Sequence, residues 1–304
     1  MTFLRPTVDI AFKKLFSNEQ HKNILISFLN SILDRAEGKK IVDVVINDPH
    51  NLPDTLEDKS SVVDVACTDQ SGARYIIEMQ VVKQEYFAQR AQYYAALGLS
   101  HQLQKRGLYR HLKPVIFVGI LGFNISDDTS YIDHHYILSQ NTGKRAFAHL
   151  EWHTVELKKF HKTLDELETD IDKWIYFLKN AQIHEDVPKS FQEVDEMKEA
   201  FGIIERMKWT EKEYTVYERD LDRVRVADSE QAAVLNDIER GIEKGLQQGL
   251  QQGRQEGRQE GRQEGREEIA LHMLKKNFDV QDIAAVTGLS IEVIEQLKKN
   301  SISE

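Results

Sequence analysis

Ser61-Val62-Val63-Asp64-Val65-Ala66-Cys67 and Arg74-Tyr75-Ile76-Ile77-Glu78-Met79-Gln80-Val81-Val82 read as two neighbouring apolar strands, each carrying oxygen-bearing side chains where only a site would tolerate them. Strand side chains alternate between faces, so Glu78 and Gln80 share one face while Ile77, Met79 and Val81 point to the other. The connection Thr68-Asp69-Gln70-Ser71-Gly72-Ala73 is rich in turn formers and predicts a hairpin that brings Asp64 alongside Glu78 and Gln80. An unpaired carboxylate is costly to bury, which makes a shared cation one explanation for two of them in hydrophobic strands. The alternative is structural: two strand residues, each bonded to an Arg or Lys. Carboxylates splayed to opposite sides of the sheet, or each locked by its own cationic neighbour, would end the enzymatic interpretation and leave an acidic α/β scaffold with a helical tail.

Four segments carry a family resemblance: Asp9-Ile10-Ala11-Phe12-Lys13-Lys14-Leu15-Phe16, Asp64 in its Val-Val-Asp-Val setting, Ile77-Glu78-Met79-Gln80, and Arg90-Ala91-Gln92-Tyr93-Tyr94. With a glycine-periodic tail and a C-terminal helical unit, this set resembles the PD-(D/E)xK phosphodiesterase fold, specifically the recombination-promoting nuclease (Rpn) or PD-(D/E)xK transposase family. The resemblance covers most of the chain. It implies an α/β, restriction-endonuclease-like core with an all-α C-terminal extension. It further implies a DNA endonuclease associated with recombination or mobile elements, with Mg2+ or another divalent cation as cofactor. The word transposase in that label is not chemistry, since nothing in the chain resembles a strand-transfer motif.

On this resemblance the catalytic set is Asp64, Glu78 and Gln80. Asp64 and Glu78 hold the metal, a carbonyl of Met79 or Val81 adds a ligand, and Gln80 orients the water or a phosphate oxygen. Two carboxylates suit Mg2+, which polarises a phosphoryl oxygen and lowers the pKa of an attacking water. Gln80 stands where the wider fold carries a catalytic Lys, although Gln is what this family tends to carry. An amide brings no positive charge, so Lys83 near the strand end, and Lys13 or Arg90 from helices, are candidates to supply it. Asp9 either adds a carboxylate to the site or simply occupies a helix N-terminus that the dipole favours. The rival expectation is a catalytically weak or inactive nuclease fold that acts as a DNA- or protein-binding assembly module.

A chain of 304 residues with 40% hydrophobic content holds one core domain and a smaller appendage. The longest apolar run, Pro114 to Phe123, is the length of a strand, and Met1 to Asp9 shows no basic region leading into an apolar stretch. A cytoplasmic protein is expected. Cys67 is the single cysteine and reads as a small buried core residue. A net charge of −10 argues against broad electrostatic capture of nucleic acid. Lys13, Lys14, Lys22, Arg90, Lys105, Arg106, Arg110 and Lys113 could nevertheless form a local basic face. His149 and His153 fall in a predicted strand where i, i+4 spacing does not converge, and the neighbours His134 and His135 face opposite ways, so zinc is not expected. Neither a phosphate-binding Gly-rich loop nor a Gly-x-Ser-x-Gly elbow is present in the sequence.

Thr7 to Leu33 predicts an amphipathic helical region, Ile41 to Ile46 a strand stopped by Asn47-Asp48-Pro49, Glu85 to Lys105 a helix and Pro114 to Leu121 a buried central strand. Further strands are expected at Tyr131 to Leu138 and Ala148 to Val155, and Ala181 to Ser190 reads as a hinge or loop. The expected division is a nuclease-like core over 1–180, a charged helical extension over 181–240, a Gly-x-x-x repeat over 241–268 and a helix-turn-helix-like unit over 269–304. In the repeat, glycine recurs at every fourth position from Gly241 to Gly265. Each interior glycine costs a helix about 1 kcal/mol, and the Arg and Glu stripes each repel themselves along the helix. Self-association over the glycines and a flexible low-complexity linker are both open. The unit around Asp282 to Leu297 has helix-turn-helix spacing, but its second helix carries few basic residues, which leaves DNA reading and a packing role both open.

Overall fold

The computed structural model of the protein describes residues 2–47, 63–103 and 108–302. Ser61, Val62, the Asp48-Pro49 strand stop, Lys105 and Arg106 lie outside the described residues. The hairpin forms as expected: β2 (Val65–Asp69) and β3 (Arg74–Gln80) are antiparallel, with Val65 opposite Ile77 and Thr68 opposite Arg74. Asp69 fixes the turn, its Oδ1 accepting from the amides of Ser71 and Ala73 at 2.8 and 3.0 Å. Gly72 takes a φ of 86°, which costs a residue without a Cβ little.

Around this hairpin the sheet grows in both directions. β1 (Val44–Asn47) pairs antiparallel with β2, and β4 (Val115–Leu121) pairs parallel with β3. β6 (Phe147–Glu156) lies parallel to β4, and β5 (Ile132–Ile137) lies antiparallel to β6, giving the order β1-β2-β3-β4-β6-β5. Every residue of β4 is buried, which is why it reads in sequence as an unbroken apolar run.

Strand alternation divides the packing into two layers. Tyr75 and Ile77 of β3 and Ile116, Val118 and Ile120 of β4 face a core built with α1 (Asp9–Phe16), α2 (Lys22–Leu33), α4 (Asp170–Asn180) and α6 (Asp195–Ile203). Ile76, Val115, Phe117 and Leu121 face the opposite layer, formed by α3 (Phe87–Ser100). The expected single helical region of Thr7 to Leu33 is two helices, α1 and α2, each burying its own apolar stripe. Ala181 and Phe191 of α5 (Lys189–Gln192) are both buried in the first core, so the Ala181 to Ser190 connection is anchored at each end.

The chain separates into two compact units, Met1–Ser229 and Glu230–Glu304. Helix α7 (Glu211–Lys275) begins in the first and continues into the second as one helix through all seven glycines of the repeat. The residues between the glycines are good helix formers, and Gln252 to Glu256 and Gln263 to Glu267 bonds of 2.9 and 2.8 Å brace successive turns. In the second unit the end of α7, α8 (Val280–Thr287) and α9 (Ile291–Ile302) enclose a small core of Ala270, Ile283, Leu289 and Ile294. Among the described residues no helix is long and apolar enough to cross a membrane.

Candidate functional site

Asp64 does not sit inside a strand, as the sequence pattern suggests, but in a bend immediately before β2. Val63 packs in the α3-side core and Val65 in the opposite one. Residues two apart in an extended strand would share a face, so the alternation resets at Asp64. Its side chain takes over a bond the ladder no longer supplies: Oδ2 accepts from the Met79 amide at 2.7 Å. Lys13 Nζ lies 3.6 Å from Oδ1 and 2.9 Å from a carboxylate oxygen of Asp9, so one ammonium from α1 joins two of the predicted acids.

Glu78 and Gln80 share the face predicted for them. A single nitrogen of Arg90, Nη2, donates to Glu78 Oε1 and, at 2.7 Å, to Gln80 Oε1. Local packing explains why Arg90 is there. Phe87, one helical turn earlier, fills the space over Gly119, the residue opposite Glu78 on β4, and packs edge-on against Phe117 and Phe123. An α-helical i, i+3 step then lays the Arg90 guanidinium over Glu78. The Gln80 amide is fixed at its other end too, with Nε2 donating to the Val82 carbonyl at 3.0 Å.

Burial dominates the electrostatics. It pushes the Asp64 carboxyl up to about 7, with Asp9 and Glu78 adding to the push and the Met79 amide and Lys13 opposing it. Burial likewise raises Glu78, against the pull of Arg90. Lys13 is depressed by its own burial, but the bond to Asp9 and the attraction of Asp64 outweigh that and hold it above the usual lysine range. Each acid therefore has its own cationic partner, Lys13 from the α1 layer and Arg90 from the α3 layer, as the structural alternative anticipates. One oxygen escapes that arrangement: Glu78 Oε2 is buried and has no hydrogen-bond partner.

Among the described residues no three His, Cys, Asp or Glu side chains stand close enough to hold a metal ion. Mg2+ does not require three, because it typically binds through one or two carboxylates and keeps several waters. The unpartnered Glu78 Oε2 and the loosely paired Asp64 Oδ1 are hard oxygen donors of the type it takes.

The other sequence candidates are dispersed. Lys83 lies beyond the end of β3, exposed, rather than on the strand. The basic face does not assemble as a free surface: Lys14 pairs with Glu213 and Lys22 with Asp43, each at 2.5 Å, while Lys13 and Arg90 are engaged at the acids. Arg110 and Lys113 are exposed. Sequence reasoning missed Arg5, Lys158 and Lys179, which line a cavity of about 190 Å3 together with Asp228, Met79, Val81 and Gly122 at the end of β3; Arg5 lies 3.9 Å from Asp228 and Lys179 donates to the Phe160 carbonyl. Burial lowers Lys179. These three cations come from distant parts of the chain, so no local pattern signals them. The histidines also regroup. His134 and His153 are opposite one another on β5 and β6, with their Nδ1 atoms 2.6 Å apart, a pairing visible only once strand register is known.

A family model described as PD-(D/E)XK nuclease family transposase matches residues 6–232, a span that holds all of Asp9, Lys13, Asp64, Glu78, Gln80, Lys83 and Arg90. No curated protein and no solved structure matches the chain.

Proposed function

We propose, for a chain that belongs to the PD-(D/E)XK nuclease family transposase family, divalent-metal-dependent hydrolysis of phosphodiester bonds in DNA, in the setting of recombination or mobile elements. The observation that carries this reading is the buried, unpartnered Glu78 Oε2 beside an Asp64 that burial and two neighbouring acids hold near neutrality. Lys13 and Arg90 each answer one acid, so what a divalent ion would add is a partner for Glu78 Oε2, a buried charged oxygen that is costly to leave without one. Asp64 and Glu78 would hold Mg2+ or another divalent ion, which when bound polarises the phosphoryl oxygen and acidifies a water. Gln80 orients that water or a phosphate oxygen through its amide. Arg90 and Lys13 are the nearest cations to the two acids and supply the positive charge that Gln80 lacks, with Arg5, Lys158 and Lys179 at the β3 end as further phosphate partners. Asp9 acts through Lys13, which it positions. A cytoplasmic protein that self-associates through 241–268 completes this reading.

A second reading has a specific observation in its favour. Lys13 on Asp64, Arg90 on Glu78 and the absence of a Lys at position 80 suit a catalytically weak fold that binds DNA or a protein partner without cutting. Plasmid nicking by the purified chain separates the two. The nuclease reading expects nicked and linear products with Mg2+, none with EDTA, and none from Glu78→Ala that retains the wild-type melting profile. Wild-type protein that shifts DNA in a gel yet leaves it supercoiled at every metal tried would select the second reading.

A further inference from the structure

His134 on β5 and His153 on β6 are cross-strand neighbours whose Nδ1 atoms lie 2.6 Å apart. A contact that short between two imidazole nitrogens needs a proton on one of them and a lone pair on the other. Glu151 decides which. Burial pushes its carboxyl up, but the bonds from His153 and Arg145 outweigh burial and hold it below the usual carboxylate range, so it is ionised and can only accept. His153 Nε2, 3.2 Å from Glu151 Oε2, therefore carries a proton, while Arg145 Nη2 holds the same carboxylate at 2.7 Å. In the neutral pair His153 Nδ1 is then the acceptor and His134 Nδ1 the donor. The next proton adds at the bare His134 Nε2 and leaves that bond intact. A further proton sets two donors face to face, and His153, 1% exposed, has no water to turn to. Among the described residues no other group facing the pair offers an acceptor. Asp133 Oδ2 is turned to His135 Nε2 at 3.5 Å, and Asp34, which follows α2, attracts charge on His134 without bonding its ring. Tyr136 meets His153 edge-on and is itself covered by Arg145.

We propose that the His134–His153 pair is a pH-sensitive latch that holds the edge strand β5 against β6. β5 ends the sheet, so one ladder alone secures it, and that ladder is irregular between Tyr136 and Ile137. Just before the strand, the Tyr131 hydroxyl donates to Asp172 at 2.8 Å and fixes its start. The pair thus sits between an anchored beginning and a loose end. Latched, it takes up at most one proton. Released into water, each imidazole titrates near its ordinary 6.5 and takes one of its own. Release therefore binds at least one extra proton in acid, and each pH unit below about 6.5 should favour it roughly tenfold. The depression of His134 in the folded state, by burial first and by the charge of His153 second, runs in the same direction. The latch is closed above about 6.5 and loosens as pH falls. Its opening frees 134–137 and bares the backbone of β6 at 151–153. None of this rests on the nuclease reading.

Amide hydrogen exchange of the full chain in EDTA, from about pH 7.5 to about pH 5.5 with the chemical exchange rate divided out, tests it. The expected result is that 134–137 lose protection roughly tenfold per pH unit below about 6.5 while the β2–β3 hairpin does not. Asp64 cannot imitate this, because its raised carboxyl makes the fold more stable as pH falls over the same range. His134→Phe combined with His153→Phe should abolish the pH dependence of β5. Ring-nitrogen NMR of the wild-type chain gives a readout that needs no variant: at neutral pH His134 should carry its proton on Nδ1 and His153 on Nε2. Protection of β5 that stays level or rises as pH falls would overturn the proposal. So would a double variant with undiminished pH dependence, or a neutral His134 with its proton on Nε2.

Discussion

Arg90 binds Glu78 and Gln80 with one nitrogen, and that shared grip makes it the residue on which the candidate site turns. In metal-free protein, Arg90→Ala leaves Glu78 buried without a cation and should cost on the order of 2 kcal/mol. A divalent ion that takes the place of Arg90 on Glu78 should return more stability to the variant than to the wild type, so thermal unfolding with and without Mg2+ should show the larger upward shift in Arg90→Ala. Equal shifts would mean that Arg90 and the metal do not compete. Asp64 supplies a pH test. Its carboxyl rises from an ordinary 3.8 to about 7 on folding, so the folded state holds the proton through a window where the unfolded chain has released it. That acid therefore makes the fold less stable as pH rises from about 4 to about 7, with the full cost present above 7. Asp64→Asn keeps an oxygen for the Met79 amide and loses the titration. In EDTA its melting temperature should move in its favour relative to wild type across that window and level off above it. A difference independent of pH would remove burial as the origin of the Asp64 shift.

At the scale of elements, the end of β3 is shaped by the residue that follows β4. A Cβ on Gly122 would lie 2.9 Å from the Val81 Cα and still closer to the Val81 carbonyl oxygen, and the Gly122 amide donates to the Gln80 carbonyl at 2.9 Å. Gly122→Ala should therefore cost about 2 kcal/mol and disturb Gln80, which would appear as weakened Mg2+ stabilisation alongside a lower melting temperature. The glycines of α7 behave oppositely. Gly257 and Gly261 have nothing within 4 Å of an added Cβ, so changing both to Ala should raise helicity and stabilise the helix by about 1 kcal/mol each. Circular dichroism of the full chain would detect the gain, and a loss would mean these positions serve a close contact. The hairpin, the buried β4 and the shared face of Glu78 and Gln80 were all legible from period-two patterning and turn chemistry. The bend at Asp64 was not, because Val-Val-Asp-Val reads as uninterrupted strand and only the packing of Val63 and Val65 into different cores reveals it.

For the whole molecule, Met1–Ser229 is one compact unit and the family match runs over nearly the same span, 6–232. A chain ending at residue 232 should unfold cooperatively and keep its Mg2+ response, while losing the self-association proposed for 241–268. Loss of the metal response on truncation would place part of the site in the second unit. Composition, periodicity and the four motif segments were enough to determine an α/β sheet with a helical C-terminal extension and its family, because burial patterns and turn residues act locally along the chain. They also placed Asp64 beside the end of β3, since a hairpin of short reach fixes it there, although the bend turned its side chain to the Met79 amide and Lys13. Tertiary structure alone decided which cations answer those acids, that the expected basic face is spent on Glu213, Asp43 and the site itself, and that Arg5, Lys158 and Lys179 meet at the β3 end. Such pairings join residues far apart in sequence across different layers, and no local periodicity encodes them.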